Sequence, residues 1–353
     1  MFHMSKRESI TLGKRIMIYV AAILLALIVC AAVIVGLVHM NPLGVYKAIF
    51  DGALGSSRRI WITIRDTLVL LCIAVGLAPA FKMRFWNIGA EGQVLIGGVV
   101  SAACMIYLSG KVPNVVLILL MLAGSAIGGL IWGLIPTFFK AHWNTNETLF
   151  TLMMNYVAMQ VVTFCICFWE NPKGSNSVGI INQATQAGWL PSVAGNAYFW
   201  TVVIVTILTV AMFIYLKYSK QGYEVAVVGE SDSTARYAGI NVSKVMLRTM
   251  AISGTICGIA GFILVSGSAH TISTSTANGR GFTAIIVAWM AKFNTFIMIL
   301  IAFGLVFMEK GATQIASQYG LNENASSIML GIILFFLLGA EFFINYKIER
   351  NRK

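Results

Sequence analysis

The chain has 353 residues, 58% hydrophobic and 11% charged, with a formal net charge of +12 and a mean hydropathy of +0.82. A soluble domain carries about 25% charged residues, so water is not this chain's main solvent. The basic excess is not a nucleic-acid stripe either: Lys and Arg gather at the ends of apolar runs, as topology signals do.

Apolar runs of about 20 residues recur from end to end, each long enough to cross a hydrocarbon core as a helix. They are continuous rather than alternating, which excludes a transmembrane barrel. The expected fold is all-α and polytopic, one transmembrane domain over 1–353 with ten spans. These cover 16–38, 64–81, 87–108, 114–138, 148–169, 198–216, 246–267, 280–291, 295–310 and 326–345. The first follows Lys6, Arg7, Lys14 and Arg15, but it is too long for a signal peptide's apolar region and reads as an uncleaved span. The eighth is too short to cross alone, and the polar stretch before it is expected to dip into the membrane with it. The cysteines, Cys30, Cys72, Cys104, Cys165, Cys167 and Cys257, fall nearly all inside these runs and form no metal or disulfide framework.

Lys82, Arg84, Lys140, Lys217, Lys220, Arg236, Lys244 and Lys292 place their segments inside, with both termini cytoplasmic. The segment 41–67 disagrees, since it is external yet carries Lys47, Arg58, Arg59 and Arg65. Its spacing suits an amphipathic helix on the outer surface, with Tyr46, Ile49, Phe50 and Ala53 on one side. The external stretch 171–196 is rich in Gly, Ser, Asn and Gln and reads as a loop.

The inner stretch 217–247 is the most charged part of the chain. Ser231 or Ser233 can cap a short helix there, and Gly239 stops it. Such a helix fits either a docking surface for a partner or a solvated connector, and the residues alone leave both open.

Polar groups collect in the spans at Asn87, Glu91 and Gln93, and at Glu147, Thr151 and Asn155. They collect again in the tract 266–284, with His270 and Arg280, and at Gln314, Gln318 and Asn322. Asn87 and Glu91 are four apart and would share a helix face, as would Glu147, Thr151 and Asn155. Polar stripes of this kind face a bundle interior or a water-filled cavity. Glu91, between Gly89 and Gly92, either holds a broken helix or touches a substrate, with the structural role favoured. Asn155, with no charge nearby, is weighted toward substrate contact. Arg280 fits an outer gate or an interfacial anchor equally, His270 reads as a loop residue, and Gly254, Gly258 and Gly261 read as helix packing. Glu91 and Glu147, the carboxylates that could couple an ion, lie near Arg84 and Lys140, which fits a proton relay poorly. There is no H-E-x-x-H, no G-x-S-x-G and no G-x-x-x-x-G-K-S/T, so an enzyme or nucleotide site is not indicated.

GESDSTARYAGINVSKVMLRTMAISGTICGIAG (229–261) resembles the coupling loop and following span of permeases in the ribose and nucleoside branch of ABC importers. NIGAEGQ, NPLGVYKAIFDGALGS and TNETLFTLMMNYVA are similar to the nucleoside-type permeases of that branch, in the same order along the chain. The chain departs from the family's pattern at Ser231 and Thr234. It departs again at Ala291-Lys292-Phe293-Asn294-Thr295, where the family has a Gly-Gly-x-Asn-Pro-type turn.

The resemblance implies a type II-like importer permease of two pseudo-repeated halves in a bacterial cell membrane, carrying nucleosides or, alternatively, ribose or another simple sugar. It implies a second permease subunit, an extracellular substrate-binding lipoprotein, and cytoplasmic ATPases that bind ATP and Mg while this chain holds no cofactor. Glu224, Gly229, Glu230, Ala235, Arg236, Tyr237 and Gly239 would then couple to the ATPase. Asn87, Glu91, Gln93, Glu147, Thr151, Asn155 and Arg280 would belong to the substrate pathway.

Overall fold

The computed structural model describes residues 2–6, 10–38, 42–193, 195–320 and 323–350. They form thirteen α-helices and one short antiparallel ribbon. Read from the sequence as a single domain, the chain divides into two compact units, one of residues 1–63 with 303–353 and one of 64–302. The boundaries fall within helices.

In the first unit, α1 (Leu12–Val38) packs along α13 (Glu323–Asn345). The ribbon pairs β1 (Phe2–Lys6) with β2 (Tyr346–Arg350), a strand element that the apolar periodicity does not announce. The expected amphipathic helix over 41–67 is instead two helices, α2 (Pro42–Leu54) and the start of α3 (Ser57–Lys82). α2 packs one face into its own unit. Val45, Ala48, Ile49 and Ala53 are buried, whereas Phe50 is exposed. Gly52 lies against the Gln314 side chain and the Gly311 backbone on the later part of α12 (Thr295–Gln318). The small residues that soften α2's amphipathic pattern are the ones that let it approach this helix. Asn322 lies outside the described residues.

The second unit contains most of α3, followed by α4 (Ala90–Leu108), α5 (Asn114–Trp143), α6 (Glu147–Trp169), α7 (Phe199–Tyr218), α8 (Lys220–Glu230), α9 (Asp232–Tyr237), α10 (Val242–Leu264), α11 (Arg280–Met290) and the beginning of α12. Side-chain caps start several of them: Asn146 accepts from Leu149 N at 3.1 Å, Ser219 from Gly222 N at 2.9 Å and Asn241 from Lys244 N at 3.1 Å. α5 ends on Asn144 in a left-handed conformation.

Among the described residues, seven helices are long and apolar enough to cross a membrane. Three shorter apolar stretches, Met17–Val33, Arg280–Met290 and Gly331–Ile344, coincide with the remaining expected spans. With 11 residues at about 1.5 Å each, α11 covers roughly half of a hydrocarbon core.

The centre of this unit is α4, α5 and α10, packed through glycine. The Gly258 Cα faces the Ser125 carbonyl and the Gly129 Cα. Gly254 faces the Gly129 backbone, and Gly261 the Val94 carbonyl. The expected Gly254–Gly258–Gly261 packing face is thus real, and its partners are glycines and a serine one helix away. α10 continues into a π-helical turn, Val265–Ala269, closed by left-handed His270, after which the chain is irregular until α11. His270 stacks on Trp189 of the 171–196 loop, with ring centroids 3.7 Å apart. Burial holds its imidazole below the usual histidine pKa, a carbonyl contact from Val265 working the other way. The turn after α11 carries left-handed Lys292 and Phe293, with φ of 48° and 61°. Non-glycine residues there cost about 1 kcal/mol each.

Candidate functional site

The stretch that would put Asn87 and Glu91 on one helix face is not helical. α3 stops at Lys82, Arg84 turns left-handed with φ 59°, and α4 begins only at Ala90. The backbone of 84–89 therefore enters the protein without its own ladder and takes partners from α6, which is how broken backbone survives at membrane depth. Asn155 spans the break: its Oδ1 accepts from Gly92 N at 2.8 Å and its Nδ2 donates to the Ile88 carbonyl at 2.9 Å. The Thr151 hydroxyl accepts from Ile88 N at 3.2 Å and donates to the Glu147 carbonyl at 2.7 Å. Asn87 folds back on its own segment, accepting from Gly89 N at 3.1 Å and from Gln93 Nε2 at 3.2 Å. It also donates to the Ser253 hydroxyl on α10 at 3.2 Å.

Glu91, in the first turn of α4, reaches across to another broken region. Its two carboxylate oxygens accept from the backbone N–H groups of Gly279 and Gly281, each at 2.7 Å. These are donors at the start of α11, where a carboxylate also meets the positive end of the helix dipole. The contact is backbone-tight, since a Cβ at Gly281 would strike the Glu91 main chain. Glu91 and the residues flanking Arg280 therefore lie side by side. The tract 270–279 turns back so that the half-span α11 starts beside the break.

Arg280 points to Asp66 of α3, 3.3 Å away, and Arg65 chelates the same carboxylate at 2.8 Å. Asp66 is buried. Buried acids are tolerated when paired in this way. Glu147 makes a more accessible pair with Lys140 at 3.0 Å.

Thus Asn87, Glu91, Gln93, Thr151 and Asn155 are all buried and gathered at one break, Arg280 joins them through the start of α11, and the Glu147 carboxylate turns instead to Lys140, partly buried. Sequence reasoning missed Asp66, Ser253 and a pair of tryptophans. A lone acid beside Arg65 was the available signal for Asp66. Trp86, in the break, and Trp289, on α11, stack with centroids 5.4 Å apart and planes at 21°. Phe81 packs edge-on to both, at 5.9 Å and 6.1 Å.

The inner stretch is two helices rather than one. Ser231 caps α9 as expected, accepting from Thr234 N at 3.3 Å, and Gly239 ends it with φ 77°. The preceding α8 carries Glu224, which pairs with Arg248 at 2.9 Å. One side of this pair of helices is anchored. Val225, Val228 and Ala235 share a core with Met83 and Phe85, and Gly229 sits on the Lys82 carbonyl. The other side is bare: Glu230, Arg236 and Gly239 are exposed, and Tyr237 is 96% exposed.

Comparison with known proteins gives this architecture a relationship. Residues 60–338 match the family described as branched-chain amino acid transport system / permease component. The chain is 28% identical over 295 residues to a guanosine ABC transporter permease protein of Bacillus subtilis, covering 83% of this chain and 84% of that one. It is 27% identical over 308 residues to a nucleoside ABC transporter permease protein of Lactococcus lactis, covering 84% of each. With a glucose ABC transporter permease protein of Haloferax volcanii it shares 25% identity over 346 residues, 93% of this chain and 88% of the other. A broken, buried polar centre, a membrane-spanning helical frame and a match over most of the length agree: the chain belongs to the branched-chain amino acid transport system permease component family.

Proposed function

We propose that this chain is the translocating subunit of an ATP-driven importer of nucleosides. The single observation that carries the energetic half of this reading is the two-faced inner stretch. A solvated connector has no need to bury Gly229 and Ala235 while leaving Tyr237 bare. A helix pair that must receive force from a partner needs both an anchored and an exposed side. We assign the exposed residues Glu230, Arg236, Tyr237 and Gly239 to a cytoplasmic ATPase, which holds ATP and Mg. Glu224, Gly229 and Ala235 fix the stretch to its own spans. The reading includes a second permease subunit, an extracellular binding lipoprotein, a bacterial cell membrane and cytoplasmic termini.

The nucleoside assignment is supported by similarity to the guanosine and nucleoside permeases; similarity to a glucose permease makes a simple sugar the second reading. Asn87, Glu91, Gln93, Thr151 and Asn155 form the scaffold of the pathway wall in this reading, and Arg280 joins it through the start of α11.

The test is uptake of labelled nucleosides and of ribose by proteoliposomes holding the purified complex. ATP-dependent uptake of nucleosides that survives a proton uncoupler is expected. Uptake of ribose alone would move the substrate to sugars, and loss with the uncoupler would point to ion coupling. Arg236→Glu should lower uptake about tenfold at unchanged thermal stability, because an exposed coupling charge contributes little to folding. Unaltered uptake would remove the docking assignment.

A further inference from the structure

Residues 86–91 and helix α11 are joined at two places, and the joins close a ring. Along the chain, Trp86 leads to Glu91. The Glu91 carboxylate crosses to Gly279 N and Gly281 N. α11 then carries the chain from Arg280 to Trp289, and the Trp289 ring returns to Trp86 by stacking at 5.4 Å. One join is polar and buried; the other is aromatic and half exposed, with Trp86 at 43% and Trp289 at 44%. Among the described helices, α11 packs principally on α4, the helix that carries Glu91. Its link to α12 is the left-handed turn at Lys292 and Phe293.

The base of the ring is held by the inner stretch. Phe85, immediately before Trp86, is 3% exposed and lies in the core made with Val225, Val228 and Ala235. Its N–H donates to the Ala80 carbonyl at 3.0 Å, so it is also fixed to the end of α3. A displacement of α8 and α9 therefore reaches Phe85, and the next residue is the first member of the ring.

We propose that residues 86–91 and α11 move as one body during transport, with Glu91 as the positioning residue that keeps them joined, and that α8 and α9 drive this body through Phe85. The proposal rests on the transport reading above. Two carboxylate–amide bonds in a buried setting are charge-assisted and hold the start of α11 strongly. The tryptophan stack is a second hold at the far end, since an offset aromatic pair gains beyond its buried area. In this scheme Glu91 acts on the substrate only through α11.

The test uses the full complex in proteoliposomes, with Cys104, Cys165 and Cys167 replaced by serine. Spin labels at Phe282 on α11 and Ile127 on α5, both exposed, should change separation by at least about 2 Å when ATP is trapped, the scale of helix shifts in switching proteins. No change would overturn the proposal. In the variant with both Trp86→Cys and Trp289→Cys, which removes the stack, a short reducible thiol linker restores the second join, and uptake should be at least that of the reduced form. A block on linking, reversed by reductant, would show that the two elements separate and would overturn it.

Glu91→Ala should lower uptake per ATP hydrolysed at least about tenfold, and Glu91→Gln, whose one amide oxygen keeps one of the two bonds while its Nε2 faces the other N–H donor, should recover only part of that loss. Equal ratios for Ala and wild type would overturn the positioning role. The label measurement is made without altering Glu91, so it holds even where Glu91→Ala does not assemble. It also needs no substrate: absence of nucleoside uptake with a clear label shift would overturn the proposed function and leave the moving body standing.

Discussion

Two regions of the second unit meet at α4 and are built from opposite materials. Toward α5 and α10, α4 lies in a packing face of glycine and serine. Gly97 faces Gly258, and the Ser125 hydroxyl donates to the Gly97 carbonyl at 2.8 Å. At its beginning, α4 faces α6 and α11 through Glu91 and Asn155, which bond to loop or helix-end backbone. The first region gains from close approach, because small residues allow backbones to touch and multiply dispersion contacts. It has no second arrangement at similar energy, since any shift opens gaps. The second is held by a few directional hydrogen bonds from Asn155 and Glu91 rather than by continuous close packing. A transporter needs both: a frame that stays and a part that can be reseated.

The frame is the place to break this comparison with the largest effect. Gly258→Leu puts a side chain where the Ser125 carbonyl and the Gly129 Cα now lie. Neither is the tip of a flexible side chain, so α5 and α10 must separate. The expected cost is about 3 kcal/mol or more, seen as loss of a monodisperse complex in detergent. The same substitution at Gly304, where a Cβ meets nothing within 4 Å, should change stability by less than about 0.5 kcal/mol. Similar behaviour at both positions would mean that glycine packing is not what sets the frame.

Legibility follows the same division. Gly254, Gly258 and Gly261 announce a packing face by spacing alone, and the apolar runs locate the seven long apolar helices and the three shorter ones, because period and length are local properties. The break was only half legible. Glu91 and Arg280 were visible as charges out of place, but their meeting joins residues 188 and 190 apart in sequence, and no local rule predicts it. The four-residue spacing of Asn87 and Glu91 suggests one helix face, and nothing near Arg84, a non-glycine residue, signals a left-handed turn. In the 41–67 stretch Phe50 fits the apolar stripe of an amphipathic helix. Yet the buried side runs through Val45, Ala48, Ile49 and Ala53, and Ile49 lies against Gly311, far along the chain. Asp66 was passed over for the same reason, as its partner Arg280 is more than two hundred residues away.

The polar region predicts a middle effect, and Asn155 is the residue that sharpens it. Asn155→Leu would leave the Gly92 N–H and the Ile88 carbonyl without their partner in a buried place, at about 1–3 kcal/mol each. A lower melting temperature with unchanged KM in the folded fraction is expected. A raised KM at unchanged melting temperature would mean that the amide touches substrate, and would return Asn155 to the pathway lining.

The smallest effect is expected where the two materials touch. Ser253 sits on α10, one residue before Gly254 of the frame, and its hydroxyl accepts from Asn87 Nδ2 of the break at 3.2 Å. Ser253→Ala removes that acceptor while preserving the small volume that helix approach requires. Asn87 keeps its exchange with Gln93, so the cost should be about 1 kcal/mol. Because only the break side loses a bond, amide exchange should quicken at Ile88 and Gly89 and stay unaltered at Gly254 and Gly258. Faster exchange at both would show that frame and break open as one unit, and the distinction between them would then hold for their chemistry but not for their motion.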